Sequence, residues 1–185
     1  MTAGAPLLTH VFLAGIGNSE PGHWQSRWHR SLPGSRWVEH ADWDNPDARA
    51  WIADLDAALA AVTGPKLLVA HSLGCLLAME WARDHRDPDI EGAFLVAVPD
   101  AAGPNFPRQA VGFRPATTGR PPLPALVVAS TNDGYASIES ARAAAAAWGA
   151  DFADVGALGH INLASNLGDW PQGRALLAAF EARLG

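Results

Sequence analysis

Three residues that lie far apart in the chain have the types and the order that acyl-transfer chemistry requires. Ser72 follows a short apolar run at 67–70 and precedes an apolar helical pattern at 73–81. A strand, a sharp turn and a helix in this order are typical of a nucleophile elbow, which holds a serine hydroxyl at the edge of a sheet. The serine needs a nearby base, and the base needs a carboxylate that orients it. Asp133 and His160 each follow a later predicted strand, so we predict a triad of Ser72, His160 and Asp133.

The elbow pattern is weaker than the usual one, and each member of the triad has a plainer interpretation. Ala70 stands where the pattern Gly-x-Ser-x-Gly has its first glycine. Ser72 could be an ordinary serine at a strand–helix turn, and His160 an exposed loop histidine. Asp133 lies in the sequence Asn-Asp-Gly, which by itself favours a turn. Asp100, which follows another predicted strand, is the alternative acid.

The reaction also needs hydrogen-bond donors for the oxyanion that develops on the substrate. We expect one from the backbone N–H of Leu73 and another from the loop after the first strand, either the N–H of Ile16 or a donor in the region of Asn18. Three residues of that loop and the following helix are candidates for substrate binding: Asn18, His23 and Trp24. Trp24, and Trp170 beyond His160, could line a pocket; packing in the core is the alternative for both.

The other side chains with chemical potential are given structural roles. His71 should point away from its neighbour Ser72, because adjacent residues on a sharp turn project in different directions. Cys75 lies one turn inside the elbow helix and is expected to be a small core residue. Trp51 and Trp81 take core-facing helical positions. The remaining histidines lack a matching acid and loop placement: His10, His23, His29, His40 and His85.

Strands and helices alternate along the chain. The predicted strands cover residues 9–14, 36–39, 67–70, 90–98, 125–130 and 151–155. Helices are predicted at 23–31, from Asn45 to Val62, at 73–81, at 138–148 and from Asp169 to Leu184. This alternation indicates an α/β fold: a three-layer sandwich with about six mainly parallel strands. Residues 99–124, rich in proline and glycine, are expected either to cover the site or to make a plain surface excursion.

Length and composition favour one globular domain, residues 1–185, without a nucleic-acid surface. Hydrophobic residues make up 49% of the chain and charged residues 17%, and the formal net charge is −6. Cys75 is the only cysteine, which fits a cytoplasmic protein. The N-terminal sequence has no basic leader, and its apolar run at 11–16 is too short to cross a bilayer, so no membrane association is expected. The sequence does not indicate an oligomeric state.

No metal or cofactor is predicted. The chain has no Walker motif and no cluster of cysteines and histidines with metal-ligand spacing. Gly15-Ile16-Gly17 begins a dinucleotide-binding fingerprint, but Glu20 takes the place of its last glycine.

Nearly the whole sequence resembles the small serine hydrolases of the retinoblastoma-binding-protein-nine and YdeN type. The resemblance rests on Asn18-Ser19 followed by His23-Trp24-Gln25, His71-Ser72-Leu73-Gly74, Ala129-Ser130-Thr131-Asn132-Asp133, and Gly159-His160-Ile161-Asn162 with Trp170-Pro171. It implies an α/β-hydrolase fold without a large cap domain, with Ser72 as nucleophile, Asp133 as acid and His160 as base. Retinoblastoma-protein binding is not expected, because the nearest match to its Leu-x-Cys-x-Glu motif, at 73–77, ends in leucine on a helix predicted to be buried.

These patterns predict a carboxylesterase-like serine hydrolase that forms an acyl-enzyme with a small ester substrate; a thioester or an amide is also compatible. Two alternatives stay open at this point. One is a non-catalytic protein-binding module on a hydrolase scaffold, since fold does not guarantee function. The other is an acyltransferase that uses the same triad.

Overall fold

The computed structural model describes residues 8–116, 121 and 123–184, which form one six-stranded sheet with helices on both faces. The strands are β1 (Thr9–Leu13), β2 (Arg36–Trp37), β3 (Lys66–His71), β4 (Ile90–Val96), β5 (Ala125–Ala129) and β6 (Asp151–Asp154). Their order is β2-β1-β3-β4-β5-β6, and every neighbouring pair is parallel. The predicted fold class is confirmed, and the carboxyl ends of all strands meet at one edge of the sheet.

Five helices cover the sheet within the described residues. They are α1 (Trp24–Ser31), α2 (Ala48–Ala60), α3 (Leu73–Asp84), α4 (Ile138–Trp148) and α5 (Pro171–Glu181). A single 3₁₀ turn, Leu163–Ser165, lies between β6 and α5 and was not indicated by the sequence. None of these helices is long and apolar enough to cross a membrane.

The central strands are buried on both faces, which is why they read as continuous apolar runs rather than as alternating ones. Successive residues of β3 face opposite cores: Leu68 and Ala70 pack with α2, α3 and α4, whereas Leu67 and Val69 pack with α1 and α5. Leu184 packs against the second core, but it lies beyond the end of α5 instead of within the helix.

The start of α2 differs from the prediction. The helix was predicted to begin at Asn45, but Asp47 caps it, and the Asp47 carboxylate accepts a 2.9 Å hydrogen bond from the Ala50 N–H. Both residue types favour caps, so local preference does not choose between them. The start of the helix at Asp47 agrees with a parallel β-bridge between Asp47 and Val111, in which the Ala48 N–H donates to the Val111 carbonyl at 3.0 Å.

That bridge ties the segment after β4 to the body of the protein. Of the predicted segment 99–124, residues 117–120 and 122 lie outside the described part of the chain. In the described part, Pro99, Phe106 and Pro107 line a cavity at the carboxyl edge of the sheet. This arrangement favours the covering role over a plain surface excursion.

Candidate active site

Ser72 occupies a strained turn between β3 and α3. Its φ angle is 53° and its ψ angle −124°, which is costly for a residue with a side chain and typical of a nucleophile elbow. The turn is held by a 2.9 Å hydrogen bond from the Ser72 N–H to the Val96 carbonyl. A Cβ atom at Gly74 would lie 2.8 Å from the Ala14 carbonyl oxygen, and closer still to that of Leu13, so only glycine lets α3 begin this near to β1.

His160 connects the serine to the carboxylate. Its Nε2 lies 2.8 Å from the Ser72 Oγ, and its Nδ1 lies 2.8 and 2.9 Å from the two carboxylate oxygens of Asp133. With the proton on Nδ1 donated to Asp133, Nε2 keeps a lone pair that can accept the serine proton. The side chains of His160 and Asp133 are 11% and 4% exposed, so water competes little for these contacts.

The loops that carry Asp133 and His160 are joined to each other. The side-chain oxygen of Asn132 accepts from the Ser130 hydroxyl at 2.9 Å and from the Gly159 N–H at 2.7 Å. Asp133 also accepts from the Tyr135 N–H at 2.9 Å, and the Tyr135 ring lies 4.4 Å from the His160 ring. The acid and the base are therefore held by a common framework after β5 and β6.

The loop after β1 lies directly against the serine. A Cβ atom at Gly15 would be 2.9 Å from the Ser72 Cβ, so the glycine allows the two backbones to approach. Ile16 and Leu73, whose N–H groups are the predicted oxyanion donors, both line the cavity beside Ser72. Leu73 is the first residue of α3, where backbone N–H groups have no acceptor within the helix.

The cavity above the serine has a volume of about 250 Å³. Its lining is mixed: it includes the apolar residues Pro99, Phe106 and Pro107 together with Tyr135, and the polar residues Asn18, Glu20, His23 and Asn162. Tyr135 and Leu163, at 41% and 43% exposed, are among the exposed large hydrophobic residues, and both border this cavity. Of the predicted substrate-binding residues, Asn18 and His23 lie at the cavity.

Trp24 does not line this cavity, so the prediction that it binds substrate is wrong. Its side chain is in the core beneath α1, only 1% exposed, and its Nε1–H donates to the Ile161 carbonyl at 2.8 Å. Trp170 is likewise a core residue, 2% exposed, with its ring 5.2 Å from that of Trp24.

Two further histidines, His23 and His71, line the cavity next to the triad. His71 points away from the Ser72 hydroxyl, as predicted, and its Nε2 lies 3.0 Å from the His160 carbonyl oxygen. Burial, together with repulsion from His23 and His160, holds the pKa of His71 well below its usual value. Burial and His160 also lower the pKa of His23 from 6.5 to about 4. Both rings are therefore neutral near pH 7.

The remaining predicted candidates lie outside this arrangement. Asp100, the alternative acid, accepts hydrogen bonds from Ser140 Oγ and the Ala102 N–H and does not meet His160. Burial raises the pKa of the Cys75 thiol, which fits its predicted core position.

Contrary to expectation, two of the other histidines have acidic partners. His10 lies 2.6 Å from Glu181, and His40 lies 2.8 Å from Asp54. Neither pair includes Ser72, so they belong to the framework.

Gln25 positions the site, although the sequence patterns assigned it no role there. Gln25 is fully buried, and its Nε2 donates to the Leu13 and Val69 carbonyls, each at 3.0 Å. These carbonyls lie near the ends of β1 and β3, just before the loops that carry Ile16 and Ser72. A glutamine at an apolar helical position was the available signal.

Comparisons with known proteins identify the family and the fold. A family model described as serine hydrolase matches residues 10–179. The structure is similar to a YdeN-like hydrolase from Pectobacterium atrosepticum, with 31% sequence identity, a TM-score of 0.84, and coverage of 96% of this chain and 92% of that one. It is also similar to the ydeN gene product of B. subtilis (17% identity, TM-score 0.77, coverage 95% and 98%) and, in fold, to an α/β serine hydrolase homologue from Coxiella burnetii (14%, 0.65, 95% and 86%). A search of curated protein sequences gave no match. The predicted resemblance to YdeN-type hydrolases is confirmed.

Proposed function

Because the chain belongs to the serine hydrolase family, we propose that it hydrolyses carboxylic esters through an acyl-enzyme formed on Ser72. The observation that carries this proposal is the position of His160, which is hydrogen-bonded through one ring nitrogen to Ser72 Oγ and through the other to Asp133. This arrangement has the two contacts that turn a weakly nucleophilic hydroxyl into a reactive one.

In the first half of the reaction, His160 Nε2 takes the hydroxyl proton as Ser72 Oγ attacks the ester carbonyl carbon. The negative charge of Asp133 stabilises the imidazolium that forms. The proton then passes from His160 to the departing alkoxide, the C–O bond breaks, and the alcohol leaves with the acyl group bound to Ser72. In the second half, His160 Nε2 removes a proton from water as the water oxygen attacks the acyl carbon. The bond between that carbon and Ser72 Oγ then breaks, His160 returns the proton to Ser72 Oγ, and the acid leaves.

The charge that builds on the carbonyl oxygen needs donors that are already in place. The N–H groups of Leu73 and Ile16 are proposed for this role, because both residues border the cavity next to Ser72. The tight packing of Gly15 against Ser72 keeps the loop of Ile16 close to the reacting carbonyl.

The cavity favours a small substrate with an apolar part. Its volume of about 250 Å³ is larger than a cavity of about 150 Å³ that holds benzene, but below the usual range for drug-sized ligands. Phe106 and Tyr135 in its lining provide apolar contact, so short acyl or aryl esters are the best initial substrates; a thioester would use the same chemistry.

The test compares Ser72→Ala with Ser140→Ala, a matched control whose hydroxyl contacts Asp100 away from the cavity. On 4-nitrophenyl acetate, kcat for Ser72→Ala should fall by about 10⁴-fold or more, whereas Ser140→Ala should retain the parent rate. A fluorophosphonate probe should label the parent and the control but not Ser72→Ala. Equal hydrolysis by the parent and Ser72→Ala would contradict the mechanism. A folded parent that is neither labelled nor active would instead indicate a binding module.

A further inference from the structure

The residue after His160 has an unfavourable backbone conformation. Ile161 has a φ angle of 49°, in the left-handed region, although its side chain is β-branched and therefore poorly suited to it. The side chain is fully buried in the core formed with α1 and α5. Such strain persists only where the surroundings impose it, and it is concentrated at functional sites.

Two buried ring N–H groups hold the backbone at this point. The Trp24 Nε1–H donates to the Ile161 carbonyl at 2.8 Å, and the His71 Nε2 lies 3.0 Å from the His160 carbonyl oxygen. A carbonyl oxygen only accepts, so His71 must carry its proton on Nε2. The two donors thus act on consecutive carbonyls, one on each side of the strained φ angle.

Both donors come from rigid parts of the fold. His71 is the last residue of β3, a fully buried strand, and it directly precedes Ser72. Trp24 is the first residue of α1, and its neighbour Gln25 bonds to carbonyls near the ends of β1 and β3. The loop that carries His160 is therefore held in position by contacts to β1 and β3. These are the strands that lead into the candidate oxyanion loop and into Ser72.

We propose that Trp24 and His71 form a carbonyl clamp, which imposes the left-handed conformation at Ile161 and so aims His160 Nε2 at Ser72 Oγ. They are positioning residues, and the inference rests on the proposed function only for its kinetic test. Removal of either donor leaves a buried carbonyl without its partner and lets the loop relax toward a less strained conformation. A displacement of about 1 Å at the reacting atoms can reduce the rate about 100-fold.

The test uses four variants. Trp24→Phe keeps an aromatic ring but loses the indole N–H, and His71→Leu removes the imidazole donor. His71→Gln keeps a side-chain N–H donor at a similar reach. The matched control is Trp28→Phe. Trp28 lies in the same core, and its Nε1–H also donates to a carbonyl at 2.8 Å, but that carbonyl belongs to Asp169, which His160 precedes by nine residues and from which it is separated by the 3₁₀ turn.

With a 4-nitrophenyl ester, kcat should fall about 10- to 100-fold in Trp24→Phe and His71→Leu, with KM changed by less than about twofold. His71→Gln should recover most of the loss, and Trp28→Phe should stay within about threefold of the parent. Circular dichroism melting checks that each variant is folded. Equal kcat values in Trp24→Phe and Trp28→Phe would overturn the clamp, even if the parent is a fully active esterase.

A measurement without substrate separates the clamp from the reaction. The His160 Nδ1–H, bonded to Asp133, should give a downfield proton resonance in the parent and in Trp28→Phe. The clamp predicts that this resonance shifts or broadens in Trp24→Phe and His71→Leu and returns in His71→Gln. An unchanged resonance in all variants would overturn the clamp. If the parent has the resonance but no activity, the proposed function fails while the clamp can still be judged.

Discussion

His160 illustrates how the proposed chemistry depends on individual atoms. Its two ring nitrogens have different tasks: Nδ1 contacts both oxygens of Asp133, and Nε2 contacts the Ser72 hydroxyl. Only the tautomer with the proton on Nδ1 leaves Nε2 free to accept, and the carboxylate selects that tautomer. The carboxylate of Asp133 therefore matters for orientation as much as for charge.

Replacing Asp133 with Asn tests this point. The amide is nearly isosteric, but its NH₂ group can face Nδ1 and favour the wrong tautomer, so we expect kcat to fall by about 10³- to 10⁴-fold with an intact fold. Initial rates of 4-nitrophenol release from a 4-nitrophenyl ester give kcat, and near-ultraviolet circular dichroism checks the packing of the aromatic side chains. A loss of less than about tenfold would mean that Asp133 is not the orienting acid.

Among the elements, α3 contributes most directly to the site, because its first turn must begin almost in contact with the end of β1. The space at Gly74 is closed by the carbonyls of Leu13 and Ala14, which belong to the strand and the loop beside the candidate oxyanion donors. A shift of α3 would move Ser72 and the Leu73 N–H together.

Gly74→Ala should therefore lower both stability and activity. The added methyl group has no room against backbone atoms, so the free energy of unfolding should fall by about 1–3 kcal/mol, as in other overpacked cores. Urea unfolding measures the loss. Gly134→Ala is the control: the space around a Cβ atom there is open, and its stability should change by no more than about 0.5 kcal/mol. Equal stability of the two variants would contradict the close approach.

At the scale of the whole molecule, the convergence of loops at one sheet edge buries His23 and His71 in a neutral form. The pKa of His23 is about 4 in the folded chain against 6.5 as its ordinary value, so below pH 6.5 the unfolded chain binds more protons. Its contribution to stability is complete above pH 6.5 and is lost as the pH falls toward 4.

We expect His23 alone to make the free energy of unfolding fall by about 3 kcal/mol over that pH range. His23→Asn should remove this part of the pH dependence, because asparagine does not titrate and can still cap α1. Urea titrations of both proteins at pH 7 and pH 4.5 provide the comparison. The same loss of stability in the two proteins would show that His23 is not buried in its neutral form.

The sequence was sufficient to predict the fold class and to predict that Ser72, Asp133 and His160 lie at one edge of the sheet. The loops that follow parallel strands all lie at the carboxyl edge. It was insufficient for Trp24 and His71, whose acceptors are carbonyls 137 and 89 residues away along the chain. Backbone acceptors leave no mark in a sequence, so Trp24 could be interpreted as a pocket residue. The left-handed φ angle of Ile161 also has no local signal, since a β-branched residue disfavours it.

The chain's lone thiol gives a built-in reporter of opening at the elbow. Cys75 is fully buried one turn after Ser72, and its Sγ lies 3.3 Å from the carbonyl oxygen of Val96. The same carbonyl, at the end of β4, accepts the hydrogen bond from the Ser72 N–H. Because the Cys75 side chain is fully buried and burial raises its pKa, a thiol reagent can react with it only when an opening motion exposes the start of α3. The rate of thiol modification in native buffer will therefore report how often the turn that carries Ser72 opens locally, without any introduced label.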